Sequence, residues 1–391
     1  MNRKVYPPNV WRTKLITLAF ILAVAAPARQ AIGYYKIIDL GALGGRESMA
    51  WSINDNFQIV GHADDSSGNT RATLFDTTGG GNNIDLGALG GKWSEAYSIN
   101  NHSQIVGWAV DSSSGQARAT LFDPTGGGKN IYLGTSGGWP STALSINDLG
   151  QIAGWAYVTS TRQRAILFDS TGGGKNIDLG TLGGQHSMAY SINNYDQIVG
   201  GAKNRSNYNR AVLFDPTGNG QNIDLGTIGL SESNARSINN MGQIVGDAKI
   251  AIHLPDRTII TSHATLFDPS GGGKNIDLGT LGGWGSWAFS INDLGQIVGI
   301  AEDSSGNSRA TLFDPIGSGN NIDLNTLIDS TLGWRLQYAY SINDYGWIVG
   351  RGINPASQYR AYLLIPEPAT VLLFGLSSLA MLTQRKVLLK R

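Results

Sequence analysis

The 391-residue chain contains no cysteine. Disulfide staples and thiolate metal sites are therefore excluded, and the fold must stand on packing and hydrogen bonds alone. Charge is sparse as well: 29 basic residues balance 29 acidic ones, and only 15% of the chain is charged. A nucleic-acid partner would call for a basic excess that is absent. Histidine is scarce, with copies only at 62, 102, 186, 253 and 263. Long stretches of 3.6-residue periodicity are missing too, which argues against helical layers. What is plentiful is glycine, 53 residues of it. That composition suits many short strands joined by tight turns, an all-β chain.

Self-similarity organises the rest. Ser-Ile-Asn recurs with its Asn at 54, 100, 147, 193, 239, 292 and 343, at intervals of 46, 47, 46, 46, 53 and 51 residues. A period in the forties, without helical periodicity, predicts one four-stranded propeller blade per repeat. In the third copy the four apolar runs are Ser141–Asn147, Gln151–Ala156, Ala165–Phe168 and Asn176–Leu179, here called a, b, c and d. Run a alternates small and large residues, as in Ala50, Trp51, Ser52 and Ile53. Period two would put the small side chains on one face and the large on the other, so that rings of one blade enter the space left by Ala and Ser on the next.

The turns agree. Asn-Asp-Leu-Gly between a and b (147–150 and 292–295) can close an Asx-turn with Gly in the left-handed position, although Phe57, Ser103 and Asp196 replace that Gly in three copies. Asp-Pro-Thr-Gly-Gly-Gly-Lys-Asn (123–130) reads as the c–d hairpin turn. Its Gly128-Lys129 is not a phosphate loop, because no helix follows and Asn replaces the required Ser or Thr. The chain also opens with a lone d-type run, Tyr35–Leu40, and ends with a lone c-type run, Ala361–Ile365. Pairing these N- and C-terminal strands would complete a seventh blade and remove two exposed edges. The expectation is an all-β, closed seven-bladed β-propeller over residues 34–365. A linear solenoid is the alternative.

The units Ile-Asp-Leu-Gly-Thr-Leu-Gly-Gly (177–184), Ala-Tyr-Ser-Ile-Asn (189–193) and Gln-Ile-Val-Gly (197–200) resemble the HAF family of extracellular repeats. The His-Ala-Phe element of that family is degraded to Arg-Ala-Thr-Leu-Phe (71–75), with His263-Ala264 the nearest survivor. The resemblance implies secretion and repeat architecture, but no catalytic residues.

Both ends read as sorting signals. Residues 1–28 have the form of a signal peptide: Arg3, Lys4, Arg12 and Lys14, then the apolar stretch Leu15–Ala25, then Ala26-Pro27-Ala28. A retained anchor is the alternative, though the apolar run is shorter than the ~20 residues that span a bilayer. At the other end Pro366, Glu367 and Pro368 precede an apolar run, Ala369–Leu382, and the basic Arg385 and Lys386. Residues 366–391 thus resemble a PEP-CTERM sorting signal: a Pro-Glu-Pro motif, a short transmembrane helix and a basic tail. The resemblance implies an exosortase-type sorting enzyme as partner and delivery to the cell envelope, cell surface or extracellular matrix after transient inner-membrane anchoring. Contact with the membrane is then expected only through the terminal signals.

No nucleophile elbow, acid pair or convergent metal set stands out, so neither catalytic residues nor cofactors are expected. The histidines read as surface residues. The recurring Asp of run d (39, 85, 178, 224, 277 and 323, with Tyr132 breaking the series) reads as a turn cap. The loops 64–69 and 302–307 carry oxygen-rich side chains without the full acidic pattern of a calcium loop. In an up-and-down blade the a–b and c–d turns share one face, and the b–c and d–a connections share the other. The first set is nearly constant here. The second varies, with an insertion at Ile250–Thr261 and a longer link at Ile328–Leu336. Variable loops on a constant scaffold are the expected binding face. The d–a links place Trp93, Trp139, Trp284 and Trp334 there, as ligand-stacking rings or as plugs between blades. A binding module for extracellular polysaccharide is the leading expectation, an envelope protein ligand the alternative, and a polysaccharide-processing enzyme a third.

Overall fold

The computed structural model describes residues 34–135 and 137–367. Within them lie seven antiparallel four-stranded sheets, each built from runs a to d in order. In the first blade these are Gly44–Ile53, Ile59–Asp65, Thr70–Phe75 and the short Ile84–Asp85. The a strands of consecutive blades touch one another around the axis and the d strands lie outermost. Almost no helix is present; Leu324–Leu327 and Ser330–Leu332 form two short 3-10 turns in the last d–a link.

The core lies between blades. Val60 and Ala72 of the first blade pack against Ala96, Ile99, Ile105, Ala109 and Phe122 of the second, all buried. Each large aliphatic side chain removed from water in this way contributes roughly 1.5–3 kcal/mol. The expected alternation of run a does not continue through the strand. A bulge between Ala50 and Ser52, repeated at the same place in the other blades, leaves Trp51 as the extra residue. The large residues at this position therefore meet one another around the axis instead of filling the space between blades: Trp51 lies 4.4 Å from Tyr340 and 5.5 Å from Tyr97. The bulge also explains the Gly of Gln-Ile-Val-Gly. A Cβ at Gly61 and its six counterparts would stand 1.9–2.1 Å from the carbonyl oxygen two residues before the bulge, so no larger residue fits.

Closure occurs as the terminal runs imply. Tyr35–Asp39 pairs with Tyr359–Pro366, and Tyr35 opposes Pro366. The last blade is thus made of both chain ends, and Leu40, Tyr362 and Leu364 are fully buried. Strand c of this blade ends at Pro366, one residue beyond the expected boundary, so the first residue of the Pro-Glu-Pro motif belongs to the ring.

Candidate functional site

The a–b turn face is bound together by symmetric hydrogen bonds. The Asn of every Ser-Ile-Asn donates from Nδ2 to the Asn carbonyl of the next blade, at 2.8–3.1 Å, and Asn343 closes the circle onto Asn54. The following residue donates its backbone N–H to the side-chain oxygen of its counterpart one blade on, from Asp55 to Asn101 and finally from Asp344 back to Asp55, at 2.7–3.0 Å. The Ser hydroxyls of the motif accept Ile amides across the same seams. Buried amides of this kind are costly to leave unpaired, so the side chains that recur in sequence are those that close the ring.

These rings enclose a polar funnel of about 200 Å³ on the axis. Asp293, Asp344 and Asp55 stand consecutively around it, with Asp148 apart. Each carboxylate already accepts a neighbouring backbone N–H. Burial, reinforced by Asp55 and Asp293, pushes Asp344 up to about 6. The funnel is thus a structural girdle in which each acid has at least one carboxylate oxygen tied to a neighbouring blade. Where Gly is replaced in the a–b turns, Phe57, Ser103 and Asp196 still adopt the left-handed conformation, with φ of 62 to 63°. Phe57 is held there by Trp347, 4.3 Å away, and Ser103 by its hydrogen bond to Gln58.

The Asp of run d caps its turn, as Asp85 does through the Gly87 amide at 2.8 Å, and also pairs with the Arg of run c, as Arg71 does at 3.0 Å. His263 performs the arginine's task in the fifth blade, with Nδ1 2.8 Å from Asp277. Where Tyr132 replaces the acid, Arg118 stacks between Tyr132 and Trp139 at 5.0 and 4.6 Å. His62 is not a surface residue: it lies half-buried against Trp51 and Glu95. In the oxygen-rich loops Asp65 and Asp303 are taken up by turn amides, and the Asn307 amide with the Arg309 guanidinium holds Asp303 at about 2. Among the described residues no three His, Asp or Glu side chains converge as metal ligands.

The opposite face, made of b–c turns and d–a links, differs from blade to blade. Trp93, Trp139 and Trp284 are 41–55% exposed on it. Trp139 and Trp284 share one register relative to Ser-Ile-Asn, while Trp93 stands one residue later and Trp334 one earlier. The extra residue Gln337 takes up that offset and brings Trp334 into strand register with Trp139 and Trp284. Yet Trp334 is half-buried and meets Tyr362 edge-on at 6.4 Å, a ring at a place where the other blades carry Thr, Val or Ile, so the structure separates it from the other three. The fifth-blade insertion lengthens the b–c hairpin, Ile244–His253 and Thr258–Phe267, and leaves Ile260 exposed near its tip.

Between the sixth and seventh blades this face carries a cleft of about 280 Å³, lined by Gly306–Arg309 and Arg335–Gln337. A second bulge, at Gln337, opens it. Leu336 there takes the place that a buried Ser holds in the other blades, and Gln337 Oε1 is buried without a hydrogen-bond partner. The repeat pattern concealed this cleft because it arises from one departure from the repeat. The missing Ser before Tyr338 and the longer link at 328–336 were its traces in sequence.

Pro366 is buried, and the Glu367 amide donates to the Tyr34 carbonyl at 3.0 Å. Pro368, the apolar run and basic tail after it, and residues 1–28, where a signal peptide is expected, lie outside the described residues. No helix among the described residues is long and apolar enough to cross a membrane. Residues 364–386 match the PEP-CTERM protein-sorting motif. The chain is therefore an exported protein, a substrate for exosortase processing, sorted to the cell envelope or surface. No curated protein matches the chain.

Proposed function

We propose that this protein is a non-catalytic binding module of the extracellular matrix and that its ligand is an extracellular polysaccharide held on the b–c and d–a face. The observation that carries this reading is the division of labour between the two faces. One spends its recurring polar groups on ring closure, while the other exposes Trp93, Trp139 and Trp284 beside connections that vary in length and chemistry from blade to blade. Exposed indole faces stack on sugar rings, and the cleft at Gln337 adds an unpaired acceptor and the Arg335 guanidinium for hydroxyl and carboxylate groups. The resemblance of the repeats to HAF units, a secreted class, is consistent with this role. A second reading, an envelope-protein scaffold, is favoured by one feature, the protruding fifth-blade hairpin with exposed Ile260.

Binding of the purified protein to matrix polysaccharides on a glycan array separates the two. The polysaccharide reading expects saturable binding that falls at least tenfold in the Trp93→Ala, Trp139→Ala, Trp284→Ala triple variant. Binding to no glycan, with retention on envelope protein through the hairpin, would replace it by the scaffold reading.

A further inference from the structure

The third residue of each a–b turn points outward from the girdle. In blades three to seven it is Leu149, Tyr195, Met241, Leu294 and Tyr345, which are 56–68% exposed and form a continuous apolar arc around the funnel. The turn does not require an apolar group there, since Asn56 and His102 occupy the same place in blades one and two. On the same face, in a c–d turn, Ile316 is 75% exposed. Exposed apolar side chains gathered on one surface, where the fold has no use for them, mark a contact with something outside the protein.

The path of the chain says what that is. Strand c of the seventh blade runs toward the a–b and c–d turns and ends there at Pro366. Pro366 packs beside the a–b turn of its own blade, with Cγ 3.8 Å from where a Cβ on Gly346 would stand, next to Tyr345. The sequence then continues from Pro368 directly into the apolar run Ala369–Leu382. From these placements we infer that, before the sorting signal is cut, the a–b face lies against the lipid bilayer and the apolar arc dips into its interface. This rests on the reading of the C-terminal run as membrane-inserting. A linker of one or two residues leaves the ring little room to turn away, and leucine, methionine and tyrosine side chains on an otherwise polar surface suit the headgroup boundary. Exposed Lys129, Lys175 and Lys274 at the c–d turns share those turns with Asp123, Asp169 and Asp268, so the apolar arc and not net charge carries this pose. In this pose the face bearing Trp93, Trp139 and Trp284 points away from the membrane.

The absence of cysteine makes the test direct, because a single introduced thiol is unique. Full-length protein carrying Leu149→Cys, Met241→Cys or Leu294→Cys, or Tyr208→Cys on the opposite face as control, is spin-labelled. Each is reconstituted into phosphatidylethanolamine–phosphatidylglycerol vesicles and into neutral phosphatidylcholine vesicles. Collision with oxygen, enriched in lipid, is compared with collision with a water-soluble nickel chelate. Labels at 149, 241 and 294 should favour oxygen over nickel by several-fold relative to the label at 208. Co-flotation with vesicles while all four labels remain equally water-accessible would overturn the docking and leave the terminal signal intact. Failure to float would overturn both. Dipolar coupling between labels on separate chains, with nickel access retained, would reassign the arc to self-association and also overturn the proposal.

Discussion

The two faces of the ring are built from the same repeat and are used in opposite ways. On the a–b side, residues 46 or more positions apart in sequence share seven-fold hydrogen bonds, so one substitution disturbs two blades. On the b–c and d–a side the start of each strand a is still tied to the preceding blade, as by the Ala72 amide on the Ser94 hydroxyl, but the connections around that tie differ in length and chemistry. Constancy within a repeat protein therefore traces where blades depend on one another, and variation traces where the chain is free to acquire a ligand.

The strongest way to break the comparison is to open the ring. Deleting Tyr34–Leu40 removes the outer strand of the seventh blade and exposes the edge of Tyr359–Pro366. The truncated chain should lose its single cooperative transition and associate, as read by calorimetry and light scattering; a monomer with an unchanged transition would show that closure contributes little. A smaller, local break is Asn147→Ala. It strands the Asn193 carbonyl and the Leu149 and Gln151 amides, and should cost about 3 kcal/mol in urea denaturation. Tyr208→Ala on the opposite face should stay within about 0.5 kcal/mol of the parent.

The tryptophans sharpen the contrast within the variable face. Trp334→Ala removes a half-buried ring from the seventh-blade core and should cost about 2 kcal/mol, less than the 3–5 typical of a full core ring. Trp93→Ala should cost under about 1 kcal/mol while weakening ligand binding. Equal losses would place both rings between blades. The smallest effect is electrostatic. Asp344 titrates at about 6 in the folded ring, above the 3.8 of an unperturbed side chain. Protonation therefore favours the fold. Its contribution is fully present below about pH 4 and is lost as pH rises through 6. Asp344→Asn, which restores the residue found at this place in blades two, four and five, should flatten the dependence of the melting temperature on pH between about 4 and 6. The groups facing this position are Asp293 and Asp55, and an unaltered pH profile would assign the dependence elsewhere.

Much of this architecture was legible before any coordinates. Seven Ser-Ile-Asn units at a period in the forties counted the blades, and the split runs Tyr35–Leu40 and Ala361–Ile365 showed how the ring shuts, because strand pairing obeys local patterns of turns and apolar residues. The Asp of run d was readable as a cap from its place before Gly. The role of the recurring Asn was not readable, since its partner lies in another blade. Nor was the direction of Trp51, because a bulge reverses the face that simple alternation assigns. Trp93 and Trp334 looked alike in sequence, yet Trp93 stays exposed while Trp334 is half-buried against Tyr362, a ring supplied by the closing strand of the seventh blade.

By itself, then, the sequence determined the number of blades, their strand order, the closure of the ring and the C-terminal sorting motif, all of which depend on residues close together in the chain or on simple repetition. Only the tertiary structure decided which polar groups are spent on the girdle, which rings remain exposed and on which face the chain leaves at Pro366. Those outcomes depend on contacts such as that between Asn343 and Asn54, 289 residues apart, which exist only once the seventh blade has met the first.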